Sequence, residues 1–547
     1  MTARVRRGRD VETTIVGQLS VLVSCISFLV YLRHNGLLLY GDAIAHINIA
    51  RRVLDSRTPG LLQLGTVWLP LPHLLLVPFV ASDRLWQSGV GGSVPSLAAY
   101  IISVIGIFRL VRVSLRPTDG PRASRPAWLA ALIYAANPNL IYLQTTAMTE
   151  TLYLALFVWT LVFFVESVRA MPSRDQLLAG KLSPLTKCGL CLAAACFTRY
   201  DGWLLAAILL AALPLIYVKL KSPAEVRRGL AGFILLAIAG PALWIGYNAV
   251  VYRNPLEFAN GPYSARAIEQ NSSAITHPGA GDLPTAASYF LKAAELNMAP
   301  GNWGRLWLLF LLAGTIIILF RNRTLWPLLL LWVPVPFYAL SVAYGGVPIY
   351  VPSWWPLSSY NLRYGIELLP AFSVFTAVTA NFLMTVVRYK RAASAVMWTF
   401  VVPTVLSYGF VWHAQPACVT EARANSQTRL PFEATLAANL RMLPPDSTLL
   451  MYLGDHVGAL ERAGIPLRRV INEGNHRPWK HPDDLEGLWE RALANPAGYA
   501  DYVIAFAGDP VSRKVDKANL ASLVVIRTLG QPPATIYWTH SSTRPHQ

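Results

Sequence analysis

The chain has 547 residues, of which 54% are hydrophobic and only 14% charged, with 17 Trp, 23 Tyr and 20 Phe. An average globular chain is roughly 25% charged, so about half the usual polar coat is missing and a single large water-soluble core is excluded. The net charge of +18 would suit nucleic acid in a soluble protein, but its placement excludes that partner. From His413 onward 14 Lys/Arg stand against 13 Asp/Glu, so the excess lies earlier, in short loops between apolar runs. This is the positive-inside pattern of a polytopic membrane protein, with membrane lipids as its surroundings.

Arg4, Arg6, Arg7 and Arg9 precede the apolar run 15–32, which places the N-terminus in the cytoplasm and sends the first helix outward. Residues 33–93 then form a first outer segment. It contains Tyr40-Gly-Asp-Ala-Ile-Ala-His, the start of a short amphipathic helix over 43–55. It also contains the Pro-punctuated stretch Trp68–Pro78, too short and broken to cross about 30 Å of hydrocarbon. Runs at 94–112, 127–145, 150–167, 184–198, 203–218, 230–251, 305–320, 326–342, 364–387 and 394–412 follow. Together they predict an α-helical protein of about eleven spans with every basic cluster on one side. The outer segment 252–303 is rich in Asn, Gly, Pro and Ser and reads as a long loop, either functional or disordered.

Beyond residue 412 the composition is that of a soluble domain. Strands are expected at 448–453, 470–471, 502–506 and 523–526, with helices at 457–463 and 483–494, which makes a small α/β layer. The chain thus divides into a membrane domain, 1–412, and an extracytoplasmic α/β domain, 413–547. Cys188, Cys191 and Cys196 share one apolar segment and Cys25 lies in another; they read as packed thiols rather than a redox or metal site.

Polar residues gather where helices meet the outer face. Asp42 and His46 are four apart, on one side of the same helix. Glu150 opens a helix, Arg199 and Asp201 share one turn, and Arg363 and Tyr364 share another. There is no phosphate-binding Gly-rich loop, His-Glu-x-x-His or serine-hydrolase elbow. Outer carboxylates with nearby arginines suit a reaction on an anionic, membrane-borne substrate.

This arrangement resembles the GT-C superfamily of polyprenyl-phosphate-sugar-dependent glycosyltransferases, which includes protein O-mannosyltransferases, aminoarabinose transferases and oligosaccharyltransferase subunits. Asp42 stands where that family has a catalytic acid in its first outer loop. Phe197-Thr-Arg-Tyr-Asp-Gly202 is similar to a lipid-phosphate-binding turn. Arg363-Tyr364 with Pro370 is similar to the start of a late helix, and Asn137-Pro138 and Thr149-Glu150 match pieces near the third and fourth helices. Two features depart from the pattern. Leu69-Pro70-Leu71-Pro72-His73 lacks the lysine of a Lys-Pro-Pro motif, leaving Arg51, Arg52 or His73 to replace that cation, and Ala43 follows Asp42 where some members have a second acid.

The resemblance implies sugar transfer from a polyprenyl-phosphate-linked donor to a hydroxyl on a glycan, lipid or protein acceptor. Asp42 would act as general base, and Arg199 and Arg363 would hold the leaving phosphate. Tyr364, Glu150, His46, Asp201 and His73 would line the substrate. No cofactor is required, though Asp42, His46 and Glu150 together could hold a divalent cation. Other readings stand beside these. Asp42 could cap its helix, Arg363 could pair with Glu367 one turn on, and Arg199 could snorkel. The whole chain could also be a lipid-sugar flippase or transporter, or a non-catalytic glycan receptor. Few charges sit at the helix midplanes, which favours the transferase over a transporter.

Overall fold

The computed structural model describes residues 2–115, 124–169, 183–219, 224–272, 276–387, 390–454, 456–475 and 487–539. Arg116, Arg122, Arg174, Lys181, Lys221 and Arg388 of the basic loops lie outside the described residues, as does the first part of the helix expected at 483–494.

The apolar runs are helical, and among the described residues eight helices are long and apolar enough to cross a membrane. They are Val11–Arg33, Val90–Leu115, Glu150–Arg169, Gly229–Tyr252, Gly301–Phe320, Arg323–Tyr344, Leu362–Val386 and Arg391–Ser426. The chain is an integral membrane protein. Of the other three runs expected to span, 203–218 is covered by the 19-residue helix Asp201–Lys219, and 184–198 by the shorter helix Pro184–Cys196. The run 127–145 divides into Arg125–Ala135 and Pro138–Leu143, because the Asn137 side chain accepts from Asn139 N and Leu140 N and restarts the helix with Pro138 in its first turn.

The Cα packing forms two compact units. The first comprises Met1–His34, Pro95–Asn248 and Pro255–Glu421. Buried polar pins cross-link its helix ends: Asn137 Nδ2 donates to Asn297 O at 2.8 Å, and Asn297 Nδ2 to Leu362 O at 2.8 Å. The outer segment expected as an aperiodic loop is largely helical here, at Glu257–Asn260, Ala265–Ser272 and Leu283–Met298. Asp282 caps the last of these, accepting from Thr285 N, and Ala286, Tyr289, Phe290, Ala293, Ala294, Asn297 and Met298 form its buried face. That spacing of three and four is the signal of a helix, masked in the sequence by the Gly- and Pro-rich residues before it.

The second unit comprises Asn35–Val94, Ala249–Asn254 and Ala422–Gln547. Its sheet has strands β1 (Leu449–Met451), β2 (Val470–Ile471), β3 (Tyr502–Phe506), β4 (Ala521–Ile526) and β5 (Ala534–Trp538), in the order β2-β1-β3-β5-β4. β2, β1 and β3 run parallel; β3, β5 and β4 pair antiparallel. Strand β5 was not expected, although Ala-Thr-Ile-Tyr-Trp carries the β-branched and aromatic signature of a strand. The helix expected at 483–494 is seen as Leu488–Ala494.

The helix Gly41–Leu54 belongs to this second unit, packed on Val457–Ala463 and Pro70–Val80. Asn48 Nδ2 donates to Glu461 Oε2 at 2.6 Å, and Trp86 Nε1 donates to Asn48 Oδ1 at 3.0 Å. Asp55 accepts from Leu467 N and Arg468 N, each at 3.2 Å. Packing therefore groups the first outer segment with residues from the far end of the chain rather than dividing the molecule at residue 412.

Candidate functional site

In the first unit three breaks in helical structure bring charged side chains together. They are the Thr149–Glu150 helix start, the Thr198–Asp201 turn and the 3-10 turn Leu362–Leu368. The last of these lies so close to the helix Leu283–Met298 that a Cβ on Gly365 would stand 2.4 Å from the backbone of Ala293. Only glycine allows that approach, and the approach fixes where Arg363 and Tyr364 sit.

Arg199 is the hub. Its Nε lies 3.1 Å from both Asp201 Oδ2 and Glu367 Oε1, and its NH1 lies 3.0 Å from Thr149 Oγ1 and 3.5 Å from Glu150 Oε1. Its NH2 donates to the Tyr338 hydroxyl at 2.7 Å, and that hydroxyl donates to Glu367 Oε1 at 2.7 Å. Arg363 meets the same Glu150 Oε1 at 3.2 Å and Glu421 Oε1 at 2.8 Å. Both guanidinium groups lie over the Tyr364 ring, at 5.3 and 4.8 Å, and Tyr338 stacks on Tyr364 at 5.1 Å. Burial alone would lower the Arg199 pKa, but Tyr338, Asp201, Glu367 and Glu150 carry it well above its usual value. It stays a cation at any accessible pH.

The sequence reading named Glu150, Arg199, Asp201, Arg363 and Tyr364, and the structure brings all five together. It missed Tyr338, Glu367 as a partner of Arg199, and Glu421. A carboxylate inside the apolar run 364–387 was a legible signal for Glu367; Tyr338 and Glu421 gave none. The alternative pair Arg363–Glu367 is replaced by Arg363–Glu150 and Arg363–Glu421. The reason is pitch: in a 3-10 turn of about three residues per turn, positions i and i+4 no longer share a face.

In the second unit Asp42 is half-buried in the first turn of its helix. The cap position is Tyr40, with no side-chain cap, and Gly41 N donates to Asn425 Oδ1 at 2.9 Å. Asp42 is thus not the cap residue. His46 Nδ1 lies 2.9 Å from His73 Nε2, and the His46 ring packs against Trp68 at 4.6 Å. Burial, then His46 and Arg52, push the His73 pKa well below its ordinary value, which disfavours its charged form. Arg51 is held by Asp55, Asp83 and the Val80 and Ala81 carbonyls, and Arg52 stands 3.7 Å from Glu473. Among the described residues no group of three or more His, Cys, Asp or Glu side chains is placed to hold a metal ion.

Spanning helices whose ends carry a buried ionic network, together with a small α/β layer, make a mostly helical polytopic membrane protein whose fold is shared with solved membrane proteins. Among the solved structures it is similar to are those of two proteins. ArnT from Cupriavidus metallidurans bound to undecaprenyl phosphate matches at a TM-score of 0.57 and 13% identity, over 97% of this chain and 99% of that one. Its apo state matches at 0.56 and 14%, over 97% and 98%. The Archaeoglobus fulgidus oligosaccharyltransferase tethered with an acceptor peptide matches at 0.50 and 12%, over 90% of this chain and 69% of that one. No protein-family model and no curated protein matches the sequence.

Proposed function

We propose that the protein is a membrane glycosyltransferase that moves a sugar from a polyprenyl-phosphate donor to an acceptor hydroxyl on the non-cytoplasmic face. The observation that carries this reading is the fold shared along nearly the whole chain with ArnT, a protein solved with undecaprenyl phosphate bound. The N-terminus is assigned to the cytoplasm and residues 413–547 to the far side, from the placement of the basic loops.

In the proposed reaction Asp42 takes the proton from the acceptor hydroxyl as its oxygen bonds to the anomeric carbon. The bond from that carbon to the phosphate oxygen breaks, its electron pair leaves with the polyprenyl phosphate, and the anomeric configuration inverts. A half-buried carboxylate outside the cap position supports the assignment of the base. The growing charge on the phosphate is assigned to Arg199 and Arg363, whose forks give two parallel donors to an oxyanion. Binding it exchanges Glu150, the carboxylate both arginines share, for phosphate oxygens. Asp201 orients Arg199, Tyr364 supports both guanidinium planes, and the His46–His73 pair forms a wall beside Trp68.

The test is a transfer assay on the reconstituted protein with a panel of polyprenyl-phosphate sugars, with products read by mass spectrometry. Asp42→Asn should abolish transfer while leaving membrane insertion and thermal stability unchanged. Full activity in that variant would remove Asp42 as the base. Movement of labelled lipid-sugar across the bilayer without transfer would overturn the enzyme reading.

A further inference from the structure

Between the spanning helices that end at Tyr344 and begin at Leu362, residues Gly345 to Asn361 include no Asp, Glu, Lys, Arg or His. The segment is nonetheless built. Tyr350 and Tyr360 exchange both backbone hydrogen bonds, at 3.0 and 3.2 Å, and so close a hairpin. Its inner side is fixed by the fully buried Ile349 and Val351 and by Asn361 Nδ2 donating to Pro348 O at 2.7 Å. Its tip is fixed by Leu357 N donating to Trp354 O at 2.6 Å and by the Tyr289 hydroxyl donating to Trp355 O at 2.7 Å.

The outer side is apolar. Trp355 is 54% exposed, Leu357 71% and Tyr360 45%, with Tyr344 at 59% at the base. Leu357 also has φ +61, a left-handed conformation that costs a residue with a Cβ roughly 1–2 kcal/mol. A loop facing water has no use for an exposed leucine held there. The hairpin cannot stray far from the bilayer, since five residues from Tyr350 to its tip reach at most about 17 Å. Tryptophan and tyrosine are the side chains that settle at the headgroup level, with an apolar ring and a polar handle. The lack of charge argues against a protein partner, whose contact surfaces are enriched in arginine as well as aromatics.

We propose that the hairpin tip is a lipid-binding wedge, with Trp355 and Leu357 seated in the headgroup and upper acyl region of the adjacent leaflet. The wedge anchors the turn that carries Arg363 to the membrane surface. Its membrane seat does not depend on whether the chain transfers sugar.

The experiment places a single cysteine at Trp355→Cys, at Leu357→Cys and, as a control, at Thr435→Cys, an exposed residue of the second unit. The background is the full chain with Cys25 and Cys191 replaced by serine. Each site is labelled with an environment-sensitive fluorophore in phosphatidylcholine nanodiscs, with or without lipid spin-labelled near the carbonyl. Labels at 355 and 357 should be blue-shifted relative to 435 and lose emission when spin-labelled lipid is added. Emission equal to that at 435 with no quenching would overturn the proposal. A blue shift without quenching would also overturn it, because the tip would then be covered by protein, such as a second copy of the chain. Should the residue 357 variant fail to fold, the label at 355 decides.

Discussion

At the scale of single residues, Arg199 is surrounded by Glu150, Asp201 and Glu367. Removing one member of such a buried set typically costs 3–5 kcal/mol, because the others are left as uncompensated charges. Arg199→Ala should therefore lower the melting temperature of the detergent-solubilised protein as well as weaken donor lipid binding. Arg199→Lys keeps the charge but not the fork, so it should recover stability more than donor affinity. A second residue sets a pH response. Burial raises the Glu461 pKa to about 8, with Glu433 adding and Asn48, Arg429 and Arg462 opposing. The folded pKa lies above the unfolded one, so this group's contribution is full at low pH and is lost as pH rises through about 8. His456, lowered to about 4 by burial and then Arg429, acts in the opposite direction below its unfolded pKa, so its effect is absent above pH 7. Between pH 7 and 8 the protection of amides in Val457–Ala463, after correction for the intrinsic rise of exchange with pH, should fall by at most about 1.4 kcal/mol, and Glu461→Gln should flatten that response.

At the scale of elements, the turn Leu362–Leu368 holds its position because Gly365 lies against Ala293. Gly365→Ala should displace the turn, overpacking a site where the neighbour is backbone and cannot rotate away, at a cost of roughly 1–3 kcal/mol. The expected signature is a larger fractional loss of transfer activity than the fall in melting temperature alone would explain, measured on the same preparation. The helix Leu283–Met298 against which this turn packs was half legible. Its apolar spacing was on the page, but the Gly- and Pro-rich flank drew the whole stretch into a loop. The 3-10 geometry of the turn was not legible at all, because Arg-Tyr-Gly-Ile-Glu-Leu reads equally as α-helix, and that one difference in pitch moved Glu367 from Arg363 to Arg199.

At the scale of the whole molecule, the placement of basic loops predicts an orientation that chemical labelling can check. With Cys25 and Cys191 replaced by serine, Thr435→Cys should react with a membrane-impermeant maleimide in intact cells. Asn322→Cys, beside the basic Arg321–Arg323 turn, should react only after permeabilisation. The reverse pattern would invert the topology and move the proposed reaction to the cytoplasmic face. The hydropathy that defines the spans is a sum over neighbouring residues, so membrane insertion was readable to within a turn at most helices. Pro184–Cys196, with 13 residues, falls short of a full span, and there the chain's apolar length, not its pattern, set the limit.

The sequence by itself determined the membrane class, the order of the apolar helices and five of the polar residues in the ionic network. These are properties of local composition, which survive whatever the chain does elsewhere. Only the tertiary structure decided which carboxylate each arginine meets, that His73 is buried, and that Asn35–Val94 packs with Ala422–Gln547. Those outcomes depend on side chains hundreds of positions apart, as with Asn48 and Glu461. A buried polar group must find a partner wherever the fold provides one, and sequence spacing carries no record of where that is.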